Sequence, residues 1–179
     1  MKFEELEIPG AYLLIPERKE DQRGFFARTY CRNELEDRDL DPTVVQCNIS
    51  VNHLKGTVRG MHWQAAPHEE IKLVRTTAGA IHDVLLDLRP DSPAYKKHVA
   101  VKLDCIERHA VYIPAGVAHG FQALEDDTEV FYQMSEFYYE EAARGVRWND
   151  PAFNITWPLP ISVISDRDLA FPDFDEARL

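Results

Sequence analysis

An all-β sandwich or barrel is the fold class this sequence predicts. The prediction rests on short segments of alternating apolar and polar residues, on clusters of turn residues between them, and on a single short helical candidate. The first candidate strand is the apolar run at 11–14, and the acidic stretch 33–41 reads as the helix. Strands at 43–50 and 58–64 are parted by the breaker Asn52-His53-Leu54-Lys55-Gly56. Strands at 71–77 and 80–88 follow, closed by Arg89-Pro90-Asp91-Ser92-Pro93. Next come 97–103 and 109–113, then the turn Pro114-Ala115-Gly116, then 120–123 and 129–137. Residues 140–179, rich in Pro and Trp, read as an irregular wrap. With no internal repeat and no low-complexity linker, residues 1–179 are expected to form a single domain.

Composition narrows the function. Of 179 residues 45% are hydrophobic, enough for one real core. Thirty-one acidic against twenty basic residues give a net charge of −11. Such a field repels nucleic acid and acidic membranes, so a phosphate-bearing ligand needs a local basic pocket. Cys31, Cys47 and Cys105 are an odd number without C-x-x-C spacing, which fits neither a zinc site nor a disulfide framework and favours a reducing compartment. No apolar signal core opens the chain, and no run approaches a membrane span. A cytoplasmic protein is expected.

Alternation also places side chains. Across 128–136, Val130, Tyr132 and Met134 share one face, while Glu129, Phe131 and Gln133 share the other. Tyr132 is therefore expected inside. Across 58–64, strict alternation sets Arg59 and His62 on opposite faces. Gly60 lies between them as a candidate bulge that brings both to one side.

The densest chemistry lies in Arg59-Gly60-Met61-His62-Trp63-Gln64 and Lys72. His62 is a candidate base, although a lone strand histidine is more often structural. Lys72 would ordinarily snorkel to the surface, but beside a histidine it offers a fixed charge to a developing oxyanion. Together they suit proton abstraction next to a ketone. Asp168, in Ser165-Asp166-Arg167-Asp168, is a solvated loop residue unless the tail folds back, where it would orient His62. Tyr132 is either an ordinary buried tyrosine or a proton donor facing His62. Arg23, Arg59 and Arg167 are surface charges or a clamp for phosphates. A metal reading competes: Pro114 to His119 has P-x-G-x-x-H spacing, and His62, His119 and one of Glu69 or Glu70 make a permissible iron triad. Lys72 opposes a cation there.

These residues carry a resemblance. Arg23-Gly24-Phe25-Phe26, Gln46-Cys47-Asn48-Ile49-Ser50, residues 56–64, Lys72-Leu73-Val74 and Asp87-Leu88-Arg89 fall in order along the chain. Residues 113–121, Tyr132, Tyr138-Tyr139, Trp148-Asn149-Asp150-Pro151 and Ser165-Asp166-Arg167-Asp168 complete the series. The sequence resembles the dTDP-4-dehydrorhamnose 3,5-epimerase family. That resemblance implies a metal-free, cofactor-free jelly-roll barrel of the cupin type, acting as a homodimer on a nucleotide-diphosphate sugar. It implies His62 as base oriented by Asp168, Lys72 as enolate stabiliser and Tyr132 as proton donor. Arg23, Phe26, Gln46, Asn48, Arg59, His119, Tyr138 and Arg167 are implied as substrate contacts. The chain departs from the family pattern at Arg28, where Glu is usual, near Ala143, in the loop 51–55 and at Trp63. These positions bear on which nucleotide and sugar bind, and whether one carbon or both are inverted.

Overall fold

The computed structural model describes residues 1–176; the last three positions of the domain expected over 1–179 lie outside them. Strands dominate. In chain order they are β1 (Lys2–Glu5), β2 (Tyr12–Ile15), β3 (Lys19–Asp21), β4 (Gly24–Phe26), β5 (Gln46–Asn52), β6 (Val58–Gln64) and β7 (Lys72–Ala78). Then follow β8 (Ala80–Asp87), β9 (His98–Asp104), β10 (Ala110–Ile113), β11 (Val117–Ala123), β12 (Thr128–Met134) and β13 (Ala143–Gly145). Two short helices, α1 (Arg32–Glu36) and α2 (Asp166–Leu169), interrupt them.

The strands form a six-stranded sheet, β1-β2-β10-β7-β12-β5, and a five-stranded sheet, β13-β6-β11-β8-β9. Pairing is antiparallel throughout, so the two sheets make a jelly-roll sandwich of the cupin type. A small hairpin, β3–β4, stands apart from both.

Three apolar clusters explain the layers. Val74, Ile81, Leu85, Leu103, Val111, Phe121 and Val130 fill the space between the sheets. Val84, Leu86, Ala118, Met61 and Trp63 point outward from the five-stranded sheet and are covered by Val146, Phe153, Ile155 and Trp157 of the C-terminal wrap. Leu73, Ala110 and Tyr112 point outward from the other sheet and meet Leu35 and Leu40 around α1. Strands covered on both faces lose the alternating pattern, and accordingly every residue of β11 is buried.

The all-β class holds, and the elements shift at their ends. The sequence expectation omits β1, β3, β4, β13 and α2, all of five residues or fewer. The helix expected over 33–41 stops at Glu36, because Asp39 turns into the left-handed region at φ 56°, and the Arg38 guanidinium donates to the freed Glu34 carbonyl at 2.9 Å. All three cysteines are free thiols. Among the described residues, no helix is long and apolar enough to cross a membrane.

Candidate active site

One open cavity of about 600 Å³ enters the sandwich between the sheets. Interior positions of β5, β6, β7, β11 and β12 line it, joined by residues 163–168 of the tail.

The Gly60 irregularity decides what β6 offers the cavity. His119 pairs with His62 and Phe121 with Arg59, so β6 carries one more residue than β11 over this interval. That is a bulge. It lets Met61 and Trp63 face the outer cluster while Arg59 and His62 both face the cavity. Glycine is required on both strands: a Cβ on Gly60 would lie 2.4 Å from Gly120 Cα, and one on Gly120 would lie 2.6 Å from Met61 Sδ. The Gly60 N–H, turned out of the ladder, donates to Asp168 Oδ2 at 3.2 Å.

The tail folds back across the sheet and delivers Asp168, 106 residues beyond His62 in sequence. Ser165 caps α2 by accepting from the Asp168 N–H at 3.1 Å. Asp168 Oδ1 lies 2.6 Å from His62 Nε2. Burial works to raise the Asp168 pKa, but the bond and charge of His62, with the Gly60 N–H and Ser165, outweigh it and hold the carboxyl below its usual value. An ionised carboxylate only accepts, so Nε2 carries the proton and Nδ1 is left with its lone pair. The pair therefore leaves Nδ1 as the ring atom able to accept a proton.

Lys72 is buried on β7, and its Nζ donates to the His62 carbonyl at 3.1 Å and pairs with Glu70 at 2.7 Å. The imidazole and the ammonium thus line one cavity, each from a different sheet. Tyr132 enters from β12, and burial pushes its phenol well above the ordinary tyrosine range, with the Ser50 hydroxyl opposing. It stays a proton donor across all working pH. His119 forms a second carboxylate–imidazole pair, Nε2 to Asp83 Oδ1 at 2.7 Å, both side chains buried. Asp83 is missed by sequence reasoning, as is Glu70 in its pairing role. Period-two placement of β8, which turns Asp83 inward with Ile81 and Leu85, is the signal that finds the first.

Arg59 and Arg167 reach the cavity without a carboxylate partner among the described residues; Arg59 donates to Asn52 Oδ1 at 2.8 Å. In a chain of net charge −11 they make a local anion site. Asn48 lines the same cavity, which runs on into a second recess of about 430 Å³ bounded by Gln46, Tyr138, Ala143 and Arg144. Arg23 and Phe26 are not brought there. They sit on the β3–β4 hairpin, Phe26 74% exposed and Arg23 paired with Asp21. Of the proposed iron ligands, Glu70 is taken by Lys72 and Glu69 is exposed. Among the described residues no group of three or more His, Cys, Asp or Glu is arranged for a metal ion.

A cupin sandwich holding a carboxylate-backed imidazole, a buried ammonium and a protonated phenol around an arginine-lined pocket fits an acid–base enzyme for an anionic substrate. Over residues 5–176 the sequence matches the family described as dTDP-4-dehydrorhamnose 3,5-epimerase. A relative of that name from Sinorhizobium fredii is 38% identical over 177 residues, covering 98% of this chain and 91% of its own. The crystal structure of the Bacillus anthracis enzyme of that name, with TDP and pyrophosphate bound, superposes with a TM-score of 0.93 at 37% identity, covering 97% of this chain and 99% of that one. A 3'-monoepimerase from Streptomyces bikiniensis, in complex with dTDP-quinovose, superposes at 0.86 with 32% identity, covering 94% and 85%. The chain belongs to the dTDP-4-dehydrorhamnose 3,5-epimerase family.

Proposed function

We propose that this chain inverts carbons 3 and 5 of a dTDP-linked 4-keto-6-deoxyhexose, turning dTDP-4-dehydro-6-deoxy-D-glucose into dTDP-4-dehydro-L-rhamnose. The observation that carries the reading is the 2.6 Å Asp168–His62 pair, which leaves Nδ1 basic in the same cavity as the Lys72 ammonium. Both carbons flank the 4-keto group. His62 Nδ1 removes the proton from one of them, the C–H electron pair becomes the C=C bond of an enolate, and the C=O π pair moves to the oxygen. Lys72 stabilises that enolate oxygen, and because the ketone is shared, it serves both steps. Tyr132 returns a proton to the opposite face, and the charges on His62 and Tyr132 are reset through solvent before the second inversion. Proton transfers alone account for the reaction. Arg59 and Arg167 hold the diphosphate, while Gln46, Asn48, His119 and Tyr138 contact the rest of the substrate.

The whole of 1–179 acts as one domain and pairs with a second copy. Support for a homodimer comes from β5, which ends its sheet with Cys47, Ile49 and Val51 exposed, and from the bare Phe25-Phe26 hairpin. The hairpin would carry Arg23 and Phe26 to the partner's nucleotide. Free thiols suit a cytoplasmic setting.

Incubation with dTDP-4-dehydro-6-deoxy-D-glucose in heavy water tests the reaction. Deuterium is expected at carbons 3 and 5, read by proton NMR. Label at one carbon makes the enzyme a mono-epimerase, and no label refutes the substrate. Sedimentation equilibrium tests the dimer.

A further inference from the structure

We propose that Phe171 is a positioning residue for His62, its ring filling the cross-strand place opposite the imidazole and holding it in line with Asp168. The inference rests on the epimerase reading of His62.

In the β13–β6 ladder Gly145 lies directly opposite His62. Opposed residues on antiparallel strands share a face, and their side chains normally touch. Gly145 has no side chain to do so. A Cβ built on it would stand 2.1, 2.3 and 2.8 Å from three atoms of the Phe171 ring, so the ring occupies that space. From there it meets the imidazole edge-on, centroids 6.0 Å apart and planes at 64°. This lies within the roughly 4.5–7 Å preferred by aromatic pairs.

The need for such a contact follows from the site. The His62 side chain is 39% exposed, and among the described residues its only hydrogen bond is to Asp168. One bond leaves the ring free to swing about the Nε2–Oδ1 line, which would carry Nδ1 away from the substrate. A second contact at the ring edge removes that freedom. The same tail segment supplies both restraints, the carboxylate at 168 and the ring at 171. Beyond the ring the segment is pinned. The Phe174 N–H donates to Asp150 Oδ2 at 2.6 Å, the Phe174 ring meets Phe153 at 4.9 Å, and Arg147 pairs with Asp173. Phe171 is thus fixed from both sides, as a restraint must be.

The test uses the full chain with Phe171→Ala, Phe171→Leu and Gly145→Ala. Phe171→Ala is expected to lower kcat about 10-fold while KM stays within about threefold, the mark of lost orientation rather than lost binding. Phe171→Leu should recover most of that loss by refilling the space. Gly145→Ala should reproduce the loss from the other strand, because its methyl displaces the ring; it keeps the proposal testable where Phe171→Ala fails to fold. In 15N NMR of the substrate-free protein, the His62 Nε2–H of Phe171→Ala should exchange faster with water. Unchanged kcat and unchanged Nε2–H exchange in Phe171→Ala, or Phe171→Leu no better than Ala, overturns the inference. A wild-type chain without turnover refutes the epimerase reading instead, and the NMR comparison still decides the role of Phe171.

Discussion

Replacing Asp168 with Asn changes one atom and should nearly stop turnover. The structure says why. Asp168 holds two donors, His62 Nε2–H at 2.6 Å and Gly60 N–H at 3.2 Å, and a carboxylate accepts from both. Asn has one acceptor and one donor end. The Gly60 N–H is fixed in the bulge and can only donate, so it captures the amide oxygen and turns the NH2 group toward His62. Nε2 must then accept, the ring proton moves to Nδ1, and the atom that should take the substrate proton already carries one. The imidazolium formed in catalysis also loses a charge-assisted bond worth about 1.5–3 kcal/mol. In a Ser-His-Asp triad, the same carboxylate-to-amide change costs about 10⁴ in kcat through the wrong tautomer. A fall of about 10³–10⁴ is expected here, or about 4–5.5 kcal/mol of transition-state stabilisation.

Single-turnover deuterium incorporation measures the chemical step of that variant directly. Affinity for dTDP, by calorimetry, should stay within about threefold, since Asp168 contacts neither proposed phosphate-binding Arg in the pairs described. Exchange within tenfold of wild type would refute the tautomer argument, for it would mean Nδ1 is not the base.

Lys72→Met should lower kcat by about 10²–10³ through loss of the enolate's counter-charge, and should also lower stability because the Glu70 side chain, 8% exposed, loses its partner; an unchanged rate in steady-state assays of the folded variant would remove Lys72 from the mechanism. Tyr132→Phe should still wash deuterium into the substrate while releasing little inverted product, and wild-type product yield by NMR would assign the donor elsewhere. Asp168 and Asp87 both have depressed pKa values, Asp87 because bonds from Arg89 and Ser92 outweigh its burial. Their contribution to stability is therefore complete above about pH 4 and fades as pH falls through the folded values. Calorimetric Tm should drop below about pH 4, less steeply in Asp87→Asn, and equal slopes would contradict the assignment. Gly120→Ala should destabilise by about 1–3 kcal/mol in urea titration, because its methyl meets Met61 Sδ and the Arg59 carbonyl; a neutral result would show that the bulge can relax.

What was legible in the sequence follows the reach of each physical rule. Alternation reports on neighbours two positions apart, so it turned Tyr132 inward and flagged Gly60, and the register shift between His119 and Phe121 bears out that bulge. It fails where both faces are covered, which is why the start of β11 at Val117 was missed. Strands of three residues, such as β13, are too short to show a period at all. Long-range pairing has no local signature, and the 106-residue gap between His62 and Asp168 was bridged only by resemblance to a family.

The same limit explains the misplaced pair. Arg23 and Phe26 carry a family motif, and a motif says that residues meet a ligand without saying from which chain. Their hairpin packs into neither sheet of its own protomer, and its aromatic residues remain exposed. Apolar surface of that kind costs about 25 cal/mol for each Å² left in water, so its retention argues for a partner that covers it. Arg28, the charge reversal beside that motif, pairs with Glu34 of its own chain at 2.8 Å and does not face the cavity. If the proposed homodimer forms, each nucleotide pocket takes Arg23 and Phe26 from the partner copy, whereas His62, Asp168, Lys72 and Tyr132 come together within one chain.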